Sequence, residues 1–367
     1  MRTTALDFDR RPILVFWETT RACLLACRHC RAEAQAAPVP GELSTDEGLA
    51  LVESVAAFGR PSPVLVLTGG DVLMRRDLAV LIARARDCGV PVALAPSVTP
   101  LLTDERLSEL RGLGVKVASV SLDGAARSTH EDIRQVGGHY EETLAAMERL
   151  HSHGFVIQVN TLVCVENVEE LPRVAGIVRS TGASIWELFF LVQVGRGTRM
   201  SELTPDQAED VCHFLVDSSR YGFIVRTVEA PMFRRVVAWR EEGRASVTGA
   251  LYEQLAGELV AELGQPTGRP RAQTKGTRDG RGIVFVSSTG DVTPAGFLPI
   301  SLGNVRERSI VEIYRDDPLL RNIRAARFSG RCGRCEYRDL CGGSRARAYA
   351  ASGDPLAEDA ACAYVPA

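Results

Sequence analysis

A chain of 367 residues with 45% hydrophobic and 24% charged side chains has the composition of a folded protein large enough to bury a substantial core. Its 43 basic and 46 acidic residues leave a net charge of −3, which argues against nucleic-acid binding through bulk charge. No apolar run approaches the roughly 20 residues of a membrane span, and the polar start, Met1 to Arg11, lacks the apolar stretch of a secretory signal. A cytoplasmic protein with neither a membrane nor a nucleic-acid partner is expected.

Taken in chain order, short apolar and β-branched runs predict strands at Ile13–Glu18, Val64–Thr68, Val90–Ala95, Val115–Ser121, Val156–Val163 and Ile185–Leu191. Amphipathic helical patterns fall between them, near 45–59, 77–87, 103–112, 140–153 and 168–180. Continuous apolar strands separated by helices imply a parallel sheet covered on both faces. Six such units are too few for a closed eight-fold barrel, so the expected class is α/β, a partial (β/α)6 TIM-like barrel over residues 1–200. Thr204-Pro-Asp-Gln then supplies an N-cap, a first-turn Pro and a capping-box Gln for a further helix. Residues 201–281 read as a helical extension and linker. Within them, 240–281 are rich in Gly, Arg, Glu and Thr and expected to be partly mobile around one helical stretch, Leu251–Leu263. Ile283–Ser287 and Val292–Phe297 predict a β-hairpin opening a small cysteine-bearing C-terminal domain, 282–367.

The ten cysteines fall into two clusters and three singles. Without an export signal, clustered cysteines point to metal rather than disulfides. Cys88, Cys164 and Cys212 stand alone and read as small buried apolar side chains. Cys23, Cys27 and Cys30, in the loop after the first strand, can ligate three irons of a [4Fe–4S] cluster and leave the fourth iron open. The alternative is a zinc site completed by His29. Cys332, Cys335, Cys341 and Cys362 make a closed set of four, for which spacing alone leaves structural zinc and an iron–sulfur cluster equally open.

Cys-Leu-Leu-Ala-Cys-Arg-His-Cys resembles the CxxxCxxC signature of the radical SAM superfamily, with His29 where an aromatic residue usually lies beside the adenine of S-adenosylmethionine (SAM). Further motifs follow in the family's order. Thr68-Gly69-Gly70-Asp71 resembles the GGE segment that meets the SAM amino group through its backbone, with Asp71 in place of Glu. Ser97 follows the third strand, where a polar residue is common. Ser119-Val-Ser121-Leu-Asp123-Gly124 resembles the SxDG end of the fourth strand, and Arg134 the arginine that pairs with the SAM carboxylate. Gly195-Arg196-Gly197 resembles the GRG turn after the sixth strand. Each motif lies at the C-terminal end of a predicted strand, where such folds assemble their sites.

The C-terminal segment is similar to the SPASM/twitch domain of the same superfamily. Gly290-Asp-Val-Thr-Pro-Ala-Gly-Phe297 stands for its GxVxPCxF opening and Gly303-Asn304-Val305 for its GN(I/V) element. Ala295 replaces the opening Cys, and Gly343-Ser344-Arg345 replaces the one expected after Cys341. The resemblance therefore implies one auxiliary [4Fe–4S] cluster, on Cys332, Cys335, Cys341 and Cys362, rather than two. Arg345 and Arg347 admit two readings, a structural basic helix start or recognition of substrate carboxylates. With Trp17-Glu-Thr-Thr-Arg-Ala-Cys23, the Cys-Gly-Gly-x-Arg-Ala-Arg-Ala run is similar to the branch acting on haem and haem d1 precursors.

The resemblance implies a radical SAM enzyme that reductively cleaves SAM to a 5′-deoxyadenosyl radical, which takes hydrogen from a carboxylate-bearing small molecule of tetrapyrrole type. Its electron donor would be a flavodoxin or ferredoxin. A maturase acting on a ribosomal peptide is the alternative, disfavoured because only about a dozen residues precede the first strand. A non-catalytic iron–sulfur electron carrier is the third reading.

Overall fold

The computed structural model describes residues 7–244, 248–272 and 276–366; parts of the polar start and of the 240–281 segment lie outside these. Strands form where apolar, β-branched residues run together: β1 Leu14–Glu18, β2 Val64–Thr68, β3 Val92–Leu94, β4 Val117–Ser121, β5 Val156–Val163, β6 Ile185–Phe190, β7 Ile224–Val228, β8 Ile283–Val286, β9 Asp291–Thr293 and β10 Gly303–Asn304. They build one sheet of order β10-β9-β8-β1-β2-β3-β4-β5-β6-β7. From β1 to β7 every neighbour is parallel, each reached through a crossover.

The partial α/β barrel is thus present, and the sheet is longer than six units. A seventh strand, β7, pairs with β6 through Leu188↔Thr227 and its neighbours. The expected hairpin, β8–β9, forms no sheet of its own. Its first strand lies parallel to β1, from Leu14↔Ile283 to Trp17↔Val286, so the sheet runs across the boundary expected at residue 282. The helix Ala250–Leu263 buries Leu255 and Leu259 against the helices Leu171–Ser180 and Pro205–Ser218. Pro205–Ser218 begins with the capping box predicted from Thr204 and Gln207.

Side-chain parity decides which residues reach the concave face. Trp17 points to the helices, where a Cβ on Gly48 would come within 2.8 Å of its ring. Trp186 also points outward, edge-on to Phe214 and Phe223. Their strand neighbours Phe16, Glu18, Glu187 and Phe189 therefore face inward, as do Gln158, Asn160, Arg226 and Phe285 on the paired strands. No helix among the described residues is long and apolar enough to cross a membrane.

Candidate functional site

The loop after β1 carries Cys23, Cys27 and Cys30 at the C-terminal end of the sheet and is held from several sides. Cys23 N–H donates to Gln35 O (2.7 Å) and Arg28 N–H to Ile133 O (2.9 Å). Arg196 of the Gly-Arg-Gly turn clamps it, with Nε on Cys27 O (2.9 Å) and its own N–H on Cys30 O (3.2 Å). Gly195 adopts φ +53°, and a Cβ there would meet Arg31 O at 2.6 Å and Cys30 O at 2.8 Å. Gly195→Ala is expected to cost about 1–3 kcal/mol from the left-handed backbone alone, read as a lowered melting temperature.

The sulfurs are set among donors. Leu25 N–H points at Cys23 Sγ (3.3 Å), Ala34 N–H at Cys30 Sγ (3.5 Å) and Arg134 Nη1 at Cys27 Sγ (3.6 Å). Burial pushes the Cys23 and Cys27 thiols up, with Arg134 opposing it at Cys27. Thiolates here therefore call for compensating positive charge, which a metal site supplies.

Gly69, Gly70 and Asp71 follow β2 and are stitched to the cysteine loop. Gly70 N–H donates to Thr20 O (2.8 Å) and Asp71 N–H to Ala22 O (2.6 Å). A Cβ on Gly70 would collide with Ala22 O, so only glycine allows the approach. Asp71 was expected among the SAM contacts. Its buried carboxylate accepts from Leu73 N–H (3.1 Å), Ser97 N–H (3.3 Å) and Thr99 Oγ1 (2.8 Å), which fixes the turn. Ser97 Oγ donates to Gly70 O (2.9 Å) and lies 3.7 Å from Cys23 Sγ.

Ser121 ends β4 on the concave face, paired with Asn160. Asp123 follows, accepting Leu162 N–H on Oδ1 (2.8 Å), with Oδ2 2.6 Å from Arg134 Nη2. Burial, the largest single influence, would raise the Asp123 pKa; the Arg134 guanidinium, the nearby imidazoles and the Leu162 N–H together outweigh it and hold the carboxyl below its usual range. Three buried nitrogens around the loop, His29 Nδ1, Arg134 Nε and Arg196 Nη2, have no hydrogen-bond partner among the described residues. Orphaned buried polar atoms are rare, and a polar, charged ligand beside the cysteines would satisfy them. Burial pushes the His29 pKa down to about 4, so its ring is neutral.

Sequence reasoning missed a second layer. Asp123 N–H donates to His130 Nδ1 (3.1 Å), His130 Nε2 meets His139 Nδ1 (2.8 Å), and His139 Nε2 meets Val98 O (3.1 Å). Burial pushes both imidazoles down, His130 to about 3. Neutral rings fix the direction of the chain: His130 donates to His139, and His139 to Val98. This links the Asp123 turn to the Ser97 loop. The i, i+4 pair His130 and Arg134 on the helix Arg127–Arg134 was the available signal. Further in, Gln158 Nε2 donates to Asn160 Oδ1 and Glu187 Oε2 (both 2.8 Å), opposite Arg226 on β7.

Cys332, Cys335, Cys341 and Cys362 line one pocket together with Arg235, Tyr337 and Tyr364. Tyr337 N–H points at Cys335 Sγ (3.4 Å), Gly343 N–H at Cys341 Sγ (3.5 Å) and Asp359 N–H at Cys332 Sγ (3.4 Å). Burial pushes Cys341 up to about 12 and Cys362 to about 11. Among the described residues no three His, Cys, Asp or Glu converge as the ligands of a single metal ion would.

Arg345 and Arg347 have their guanidinium groups committed internally, which favours the structural of their two readings. Arg345 is fully buried, spans Gly343 O, Pro355 O and Ala357 O, and points Nη2 at Cys332 Sγ (3.7 Å). Arg347 holds Glu202, Glu229 O and Leu191 O and lies 3.5 Å from Asp359. Where a second auxiliary set would need ligands, Ala295 is buried, Ser344 bonds Glu229, and Asp279 accepts the N–H groups of Arg345 (3.2 Å) and Ala346 (3.1 Å). Cys164 and Cys212 are fully buried and Cys88 is half-buried, all three apart from the two cysteine sets in sequence.

Residues 17–176 match the Radical SAM superfamily, and residues 278–336 an iron–sulfur cluster-binding domain, SPASM. An AdoMet-dependent heme synthase of Methanosarcina barkeri is 37% identical over 357 residues, 97% of each chain. A PqqA peptide cyclase of Rhodopseudomonas palustris is 25% identical, over 97% of this chain and 88% of its own length. Among solved structures, SuiB of Streptococcus suis bound to S-adenosylmethionine superposes with a TM-score of 0.69 at 12% identity, covering 97% of this chain and 78% of that one.

Proposed function

The chain belongs to the radical SAM superfamily, and we propose that it is a tetrapyrrole-modifying member in which Cys23, Cys27 and Cys30 hold the SAM-binding cluster. It is an enzyme whose cofactors are that [4Fe–4S] cluster, SAM and one auxiliary [4Fe–4S] cluster, the last assigned to Cys332, Cys335, Cys341 and Cys362. The observation that carries the ligand assignment is the ring of unpartnered buried nitrogens, His29 Nδ1, Arg134 Nε and Arg196 Nη2, around the cysteine loop.

When bound, the reduced cluster and SAM supply an electron and a 5′-deoxyadenosyl radical able to take hydrogen from an unactivated carbon. The chain's residues bind and orient. Arg134 offers Nε to the SAM carboxylate while Asp123 fixes its other edge. The backbone of the Gly69–Gly70 turn, locked by Asp71 and Ser97, would meet the SAM amino group, and the neutral His29 ring would lie beside the adenine. Ser121 at the end of β4 and Asp123 just after it would complete the SAM site. The paired walls of the barrel exclude water.

The tetrapyrrole reading rests on the heme synthase relative, more similar over this chain's length than the peptide cyclase. We take the electron donor to be a flavodoxin or ferredoxin and the location to be the cytoplasm, where ten unpaired thiols stay reduced. Anaerobically reconstituted protein with SAM and dithionite should form 5′-deoxyadenosine and methionine. A carboxylate-bearing iron porphyrin should raise the rate and itself change mass. SAM cleavage with an unchanged porphyrin would sink the substrate reading and favour a peptide.

A further inference from the structure

With Arg345 and Arg347 committed, a substrate carboxylate needs another cation at the barrel mouth. Arg31 directly follows Cys30. Its Nη2 lies 3.1 Å from the buried Glu18 carboxylate, at the inward-facing end of β1, and its guanidinium stacks 4.3 Å over the Phe285 ring of β8. Unlike the forks of Arg345 and Arg347, it donates to no backbone carbonyl in the described residues. Its side chain stays 22% exposed, and none of its nitrogens is sealed away from solvent. Gly296 packs against the same guanidinium, where a Cβ would sit 3.0 Å from Nε, so glycine there leaves the group its full room. One position on, Phe297 reaches the inward-facing Phe189 of β6 with ring centroids 6.4 Å apart. The Phe189–Phe297 pair thus lies on one side of the mouth, and the Arg31 guanidinium, backed by Phe285, lies on the other beside the last cysteine.

Resting on the tetrapyrrole reading, we propose that Arg31 binds a carboxylate of the substrate and so positions the adjoining carbon for hydrogen removal. A planar, apolar macrocycle suits the Phe189 and Phe297 rings, and a charged side-chain carboxylate suits the fork. The saturated carbons between ring and carboxylate then fall beside the cysteine loop. Glu18 keeps the guanidinium in its plane before the ligand arrives, so little rotamer freedom is lost on binding.

The test is an anaerobic optical titration of the reconstituted, SAM-loaded protein with hemin, which carries two carboxylates, and with hemin dimethyl ester, which carries none. Wild type should bind hemin roughly tenfold or more tighter than the ester, the range of a charge-assisted hydrogen bond. Arg31→Gln should lose that preference and Arg31→Lys keep part of it. Iron content and the reduced EPR spectrum establish beforehand that the neighbouring cluster is loaded. If Arg31→Gln fails to load, the ester comparison on wild type decides. Equal wild-type affinity for hemin and ester, or hemin binding unchanged in Arg31→Gln, overturns the assignment while leaving the tetrapyrrole reading intact. A wild type that binds neither porphyrin removes the reading itself.

Discussion

Replacing Cys23, Cys27 and Cys30 together by Ala is expected to abolish release of 5′-deoxyadenosine and to lower the iron content from about eight to about four per chain. The first effect follows because no other cysteine is near in sequence to stand in: Cys88 and Cys164 lie on other elements, and Cys164 is fully buried and bonded to Asn167. The second follows because the C-terminal set is built from different segments and carries its own N–H···S contacts. The triple variant should still give a [4Fe–4S] EPR signal when reduced. One zinc and no iron in it would turn the C-terminal site into a zinc knuckle, and about twelve irons in wild type would mean a third cluster.

Arg134→Ala is expected to cost about 3–5 kcal/mol of stability, because it strands the Asp123 carboxylate, 1% exposed, without its counter-charge. SAM affinity should fall as well, by roughly 1.5–3 kcal/mol. The two effects are separable. Adding Asp123→Asn to Arg134→Gln leaves no lone buried charge, so chemical denaturation should recover much of the stability while titration with SAM stays weak. Recovery of both would make Arg134 purely structural. The sign with pH follows from the depressed Asp123 pKa. The stabilisation is fully present above the unfolded value of about 3.9 and is lost as pH falls through the lower folded value. Asp123→Asn should therefore flatten the acid limb of the stability profile.

The cysteine loop and the strand-end motifs were legible because their chemistry is local: ligand spacing and the glycines that permit close approach are written within a few residues. The six strands were legible from runs dominated by apolar and β-branched residues. β7 was not. Its Arg226 and Thr227 break the run, and it is identified by pairing to β6 rather than by its own pattern. The hairpin was legible as a hairpin, but its attachment to β1 is a choice of partner that local pattern does not encode. Asp71 is legible as part of the turn after β2, but the three donors from neighbouring turns that hold its carboxylate are not. For Arg345 and Arg347, composition could name the charge but not the carbonyls, supplied by segments from residue 191 to residue 357, that consume it. Arg31 carried no signal beyond its place after Cys30.

The parallel pairing of β8 with β1 sets an order of events during biosynthesis. The partners are about 270 positions apart in the chain. At roughly 5–20 residues per second, the cysteines after β1 emerge from the ribosome tens of seconds before the strand that completes the sheet beside them. Throughout that interval Phe16 lacks its β8 neighbour and Arg31 lacks the Phe285 face. Loading of the first cluster before release would meet an unfinished wall, so iron–sulfur insertion at this end of the chain belongs after the last third of the protein has been made.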